Sequence, residues 1–237
     1  MVKNNIALKK NEYIYNLSKK ILNDCKALDI ELRFFGSVAL FYLDDTKISW
    51  LSENRKAIAD IDIVVPTKCI DSFEKYLLNN NFKFNGNIKM LYGNIRRNYY
   101  STENISIDVF IENIFLCQEV IVNNRLNLSY PTIPVADLFL SKIQKHNLSV
   151  TDVFDIDYIL NYLVDKEYII NLCANQWNWW KTLQTNIPFL INSNFKINNV
   201  DKLKDLWISI NHTNKSFSWK LRSIVGQNLP WYNYVEE

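Results

Sequence analysis

Residues 58–66 read IADIDIVVP, and the reading of this stretch decides how the rest of the chain is understood. Ile58, Ile61, Ile63, Val64 and Val65 form a β-type run that Pro66 closes. Asp60 and Asp62 stand two residues apart inside it, so on a strand both side chains leave the same face. Their Cα atoms are then about 6–7 Å apart, from the rise of an extended chain. An ionised carboxylate among apolar residues is costly without a counter-charge, so this pair is expected to meet a cation or a metal.

Two further segments extend the pattern. Upstream, RFFGSVALFYL places Gly36 and Ser37 directly after a short strand, Leu32 to Phe35. Ser37 is positioned to cap a helix through Val38, Ala39 and Leu40. Downstream, ISIDVFIE (105–112) embeds Asp108 among Ile, Val and Phe in the same manner as Asp60 and Asp62. With Asp108 on a neighbouring strand, three carboxylates are expected to converge on one divalent cation or a pair of them, an arrangement suited to phosphoryl chemistry.

Composition narrows the metal. Only His146 and His212 are present, and Cys25, Cys69, Cys117 and Cys173 are widely spread, so neither a zinc site nor a redox dithiol is indicated. Hard oxygen ligation by carboxylates remains, which favours magnesium or manganese. The net charge of +2 neither announces nor excludes a nucleic-acid partner. The chain contains no apolar run long enough to span a membrane and no apolar N-terminal stretch of signal-peptide type. A cytoplasmic location is therefore the default expectation.

The 237 residues divide into two stretches of different character. Residues 9–28 read as an amphipathic helix through Ile14, Leu17, Ile21 and Leu22. After the Gly-Ser turn comes a polar segment, Asp44 to Lys56, expected as an extended loop before the Asp-x-Asp strand. Residues 69–79 read as helix, and β-type segments follow at Phe82–Phe84, Ile88–Tyr92, Arg96–Ser101 and Ile105–Glu112. From Pro131 and Pro134 onward the text turns helical: VADLFLSKIQKHN, VTDVFDIDYILNYLV, EYIINLCANQWNWWKTL, VDKLKDLWISI and KSFSWKLRSIV. The expected class is α+β, a mixed sheet with helices over residues 1–131 and a helical half over 132–237.

A Gly-Ser turn, then Asp-x-Asp on one strand and a lone Asp on another, resembles the nucleotidyltransferase superfamily with the polymerase-beta-like palm. LFLSKIQKH followed by TDVFDIDYIL is similar to the Lys-bearing helix and Asp-x-x-Asp helix of the AbiEii-type nucleotidyltransferases, and the resemblance covers about residues 32–160. It implies transfer of a nucleoside monophosphate from an NTP to a hydroxyl, with Asp60, Asp62 and Asp108 on the metal and Asp108 either as ligand or as general base. Gly36 would let backbone approach the triphosphate, and Ser37 would donate to it. Lys142 would contact the triphosphate, Asp152 or Asp155 would orient that Lys or a substrate group at the nucleotide, and one of Arg96 and Arg97, taken as Arg96, would face phosphate. It further implies a tRNA end, a protein side chain or a small molecule as acceptor, and a toxin-like role beside a cognate antitoxin. The chain departs from the superfamily in the longer stretch between Gly36 and Asp60.

Plainer readings stand beside these. Asp60 and Asp62 are also compatible with the wet face of a half-buried strand. Asp152, Asp155 and Asp157 lie near a helix start, where the dipole favours negative charge in any case. Trp177, Trp179, Trp180, Trp207, Trp219 and Trp231 are expected as packing groups of the helical half rather than a base-stacking platform. An inactive nucleotide-binding or protein-interaction module on the same fold is the alternative function.

Overall fold

The computed structural model describes residues 2–55, 57–86, 94–103 and 105–233. The chain is α+β, with ten α-helices and a mixed five-stranded sheet among the described residues. It divides into two compact units, residues 1–115 with 121–134, and residues 116–120 with 135–237.

The first unit is built on strands β1 (Arg33–Phe35), β2 (Asp60–Val65), β3 (Lys83–Phe84), β4 (Arg96–Tyr100) and β5 (Ser106–Ile111), in the spatial order β1-β2-β5-β4-β3. The two Asp-bearing strands, β2 and β5, are parallel neighbours, and the other pairings are antiparallel. Alternation sorts the side chains. Ile61, Ile63, Val65, Ile107, Val109 and Ile111 are buried on one face. Helix α4 (Ile70–Asn79) is tied to that face by the Arg97–Glu74 ion pair. Helix α1 (Val2–Ala27) lies beside α4, with the Tyr76 hydroxyl donating to Asp24 Oδ2 at 2.9 Å. Asp60, Asp62 and Asp108 are left on the opposite face.

The expected strand at Ile88–Tyr92 lies outside the described residues. The expected extended loop at Asp44–Lys56 is corrected through Arg55. A 3-10 turn (Asp45–Lys47) leads into helix α3 (Ile48–Asn54), after the four-residue helix α2 (Leu40–Leu43). Polarity misled there because α3 buries only Leu51 and Ser52. Ser52 Oγ accepts from Asn11 Nδ2 at 3.0 Å, and Asn11 Oδ1 accepts from the Ile58 amide at 2.9 Å. One asparagine on α1 thus fixes both the segment and the entry to the Asp-x-Asp strand. Ser37 is corrected as well: helix α2 has Ala39 at its N-cap position and no side-chain cap.

At the sheet edge, Phe34 pairs with residues 131–133, its amide donating to the Pro131 carbonyl at 2.9 Å and its carbonyl accepting from Ile133 at 3.0 Å. Two short strands, β6 (Ile114–Phe115) in the first unit and β7 (Glu119–Val120) in the second, complete the β structure.

The second unit contains helices α5 (Val135–Ile143), α6 (Val150–Leu160), α7 (Lys166–Asn175), α8 (Trp177–Asn192), α9 (Val200–His212) and α10 (Phe217–Val225). Leu138, Phe139, Ile143, Ile159, Leu183, Ile187, Leu203 and Leu206 form its core. The single helical stretch expected at 167–183 is two helices, broken at Gln176, whose backbone is extended. Trp177 and Trp179 are buried, and Trp180 packs edge-on to Trp219 with ring centroids 5.1 Å apart. No helix among the described residues is long and apolar enough to cross a membrane.

Candidate functional site

The polar face of the sheet in the first unit collects the carboxylates. Asp62 is in direct register with Asp108 across the parallel β2–β5 pair, and Asp60 faces Ser106. Registered neighbours lie about 4.8 Å apart in the hydrogen-bonding direction, so the three acids occupy one patch. Asp60 and Asp62 are half-buried, and Asp108 is buried. Ile61 between them and Ile63 after them point the other way and anchor the strand. This is how an apolar strand can carry two carboxylates without burying them in the core.

The Gly36–Ser37 turn borders the patch, because β1 pairs with β2 and places Phe35 opposite Asp62. Gly36 has φ +63, in the left-handed region that favours glycine. A Cβ on Gly36 would stand 1.8 Å from Asp62 Oδ2. The missing side chain therefore makes room for Asp62 itself, a closer approach than the one sequence reasoning reserved for a ligand. The Ser37 hydroxyl accepts from Arg55 Nη2 at 2.6 Å. Arg55 ends the helical segment that replaces the expected loop, and it brings a guanidinium to the turn.

Asp108 is held by two side chains of β4. Its Oδ2 accepts from Arg96 Nη2 at 3.0 Å, and its Oδ1 accepts from Asn98 Nδ2 at 2.8 Å. Asn98 also donates to Ser106 Oγ at 2.7 Å. Arg96 and Asn98 are two residues apart on β4 and so share the face, while Arg97 faces the helices and pairs with Glu74. The guanidinium of Arg96 lies over the Phe110 ring, 5.1 Å from its centroid. Among the described residues, no group of three or more His, Cys, Asp or Glu side chains is placed to hold a metal ion. Asp108 is engaged by Arg96 and Asn98, and Asp60 and Asp62 lie beside it on the same face.

The remaining site candidates lie in the second unit. Lys142 Nζ meets Asp155 Oδ2 at 2.9 Å, with Asp155 fully buried. Asp152 closes a capping box with Ser149 at the start of α6 and pairs with Lys145 Nζ at 3.2 Å. Asp155, one turn further along, is therefore the partner of Lys142, and Asp152 is a helix cap. Asp157 accepts from the backbone and side-chain amides of Asn198 and Asn199 and serves as a joint between helices.

Sequence reasoning missed Arg55 and Asn98. Asn98 was within reach of it, since strand alternation places it with Arg96. Arg55 was hidden by the polarity of the segment that carries it.

No family model and no curated protein matches this chain. Among solved structures, the crystal structure of an antigenic nucleotidyltransferase-like protein from Paracoccidioides brasiliensis aligns over 87% of this chain and 94% of that one, at 16% identity and a TM-score of 0.42. A likeness of this size assigns no activity to the present chain.

Proposed function

We propose that the polar face of the sheet is a nucleotidyl-transfer site, where a hydroxyl attacks the α-phosphorus of a nucleoside triphosphate. One observation carries the reading: Asp60, Asp62 and Asp108 share a face on adjacent parallel strands, with Asp62 and Asp108 in register beside the Gly36–Ser37 turn. A hard-oxygen donor set suits magnesium or manganese, and such an ion commonly takes one or two carboxylates and fills its remaining positions with water and phosphate. Asp60 and Asp62 meet that requirement without a third ligand. When bound, the ion would offset negative charge on the phosphates and favour the ionised acceptor oxygen.

The chain's own groups supply the rest. Ser37 and Arg55 present a hydroxyl and a guanidinium at the turn, both suited to phosphate oxygens. Asp108 is the carboxylate suited to take the proton of the attacking hydroxyl as the new O–P bond forms and the bond to the departing pyrophosphate breaks. The resemblance to AbiEii-type enzymes supports a tRNA end, a protein side chain or a small molecule as acceptor, and a toxin-like role in a toxin–antitoxin or phage-defence pair.

Labelling tests this. Incubated with NTPs labelled at the α-phosphate, magnesium and cell extract, the protein is expected to label an acceptor, and the Asp60→Asn, Asp62→Asn double variant is not. Equal labelling by the double variant would overturn the assignment.

The engagement of both Asp108 oxygens favours a second reading, a nucleotide-binding module without transfer. Calorimetry separates the two, since binding of NTP and metal without turnover supports the module.

A further inference from the structure

Asp108 is compensated twice on the polar face, but its two partners are held differently. Asn98 is fixed by a second bond to Ser106 Oγ at 2.7 Å. Arg96 is looser. Its side chain is 30% exposed, it gives Asp108 one nitrogen at 3.0 Å, and its buried Nε has no hydrogen-bond partner. A guanidinium is a planar fork that fits phosphate as well as carboxylate, and a triphosphate offers it more oxygens and more charge. With its Nε donor unused, Arg96 gains by such an exchange.

We infer that Arg96 is an exchangeable counter-ion: it holds Asp108 while the site is empty and moves to the triphosphate when nucleotide binds, releasing Asp108 Oδ2. The inference rests on the reading of this face as a nucleotide site, and it adds how that site is controlled. The step replaces one ion pair by another, with no covalent change. In the empty site, Arg96 offsets the repulsion among three carboxylates on one face. In the filled site, Asp108 becomes available to the cation or to the attacking hydroxyl. Metal and nucleotide then favour each other's binding through Arg96, and by linkage the effect is reciprocal.

The experiment uses the full chain, Mn2+ followed by electron paramagnetic resonance, and a non-hydrolysable NTP followed by calorimetry. Arg96→Gln and Arg96→Met are compared with the natural protein, each first checked for its fold by circular dichroism. Arg96→Met keeps an apolar stem against Phe110 and carries the test should Arg96→Gln not fold. Without nucleotide, the variants are expected to bind Mn2+ about tenfold more tightly, the size of one charge-assisted hydrogen bond released. Without metal, they are expected to bind the NTP analogue about tenfold more weakly. Both signs follow from the loss of one positive charge alone. The signature of exchange is that Mn2+ and the NTP analogue raise each other's affinity in the natural protein and do so less in the variants; an unchanged mutual gain would end the inference. Affinities equal to those of the natural protein, or a weakening of both ligands together, would make Arg96 a structural ion pair and end the inference. Failure of the natural protein to bind either ligand would end the reading of the site as well.

Discussion

Gly36 and Asp62 are so close that a methyl group on the glycine would lie 1.8 Å from the aspartate Oδ2. The turn and the Asp-x-Asp strand are therefore one structural unit, although 24 positions separate Gly36 from Asp60. The backbone of Gly36 reinforces the point, since φ +63 is strained for any residue with a side chain.

Gly36→Ala is accordingly expected to lower stability by about 1–3 kcal/mol and to displace the Asp62 carboxylate. Mn2+ titration and urea denaturation read the two effects. Adding Asp62→Ala should recover part of the stability, because the colliding oxygen is gone. A double variant no more stable than the single one would show that backbone strain alone accounts for the loss.

The Lys142–Asp155 pair has side-chain exposures of only 11% and 0%. Removing one member takes the ion-pair partner from a charge in the core, so Lys142→Met is expected to cost about 3–5 kcal/mol. Lys142→Met with Asp155→Leu should cost less than Lys142→Met alone. Denaturant midpoints of the three chains decide it.

Glu112 predicts a dependence on pH. The Thr67 amide, which donates to Glu112 Oε1 at 2.8 Å, holds this carboxyl below its ordinary value of 4.5. A lowered folded-state value means that the contribution is complete above the unfolded value and is lost as pH falls through the folded one. Glu112→Gln should therefore be less stable than the natural protein at pH 7, by about 1 kcal/mol. The difference should shrink as pH drops below 4.5. Thermal midpoints across that range provide the measurement, and a constant difference would contradict the assignment.

The four cysteines are free and buried. Burial pushes the Cys25 and Cys173 thiols up to about 12, so little thiolate is present near neutrality. Iodoacetamide at pH 8 should leave both unmodified in the folded protein and alkylate them once denaturant is added. Mass spectrometry of the two samples reads the outcome, and rapid native labelling would contradict the burial.

Strand and helix positions were largely legible because their periods are local. Residues 58–65 could be read as a strand from apolar spacing, and Asp60 with Asp62 as one face from the pleat. Arg96 and Arg97 could be separated onto opposite faces by the same rule, with Arg96 taken for the site, but the pairing of Arg96 with Asp108 was not readable. The segment 44–55 was misread because α3 docks through two residues and one hydrogen-bonded asparagine, too few to give a periodic signal.

By itself the sequence determined an Asp-x-Asp strand, a second Asp-bearing strand, a glycine turn and a helical second half, since each follows from side-chain alternation, turn chemistry or helical spacing. Only the tertiary structure decided that β2 lies parallel to β5 with Asp62 against Asp108, where a slip of one residue would send Asp108 to the helices. It alone also decided that Asp62 fills the space left by Gly36, that Arg55 reaches Ser37, and that Arg96 occupies Asp108. Register and partner choice depend on packing between residues far apart in the chain, and no local period encodes them.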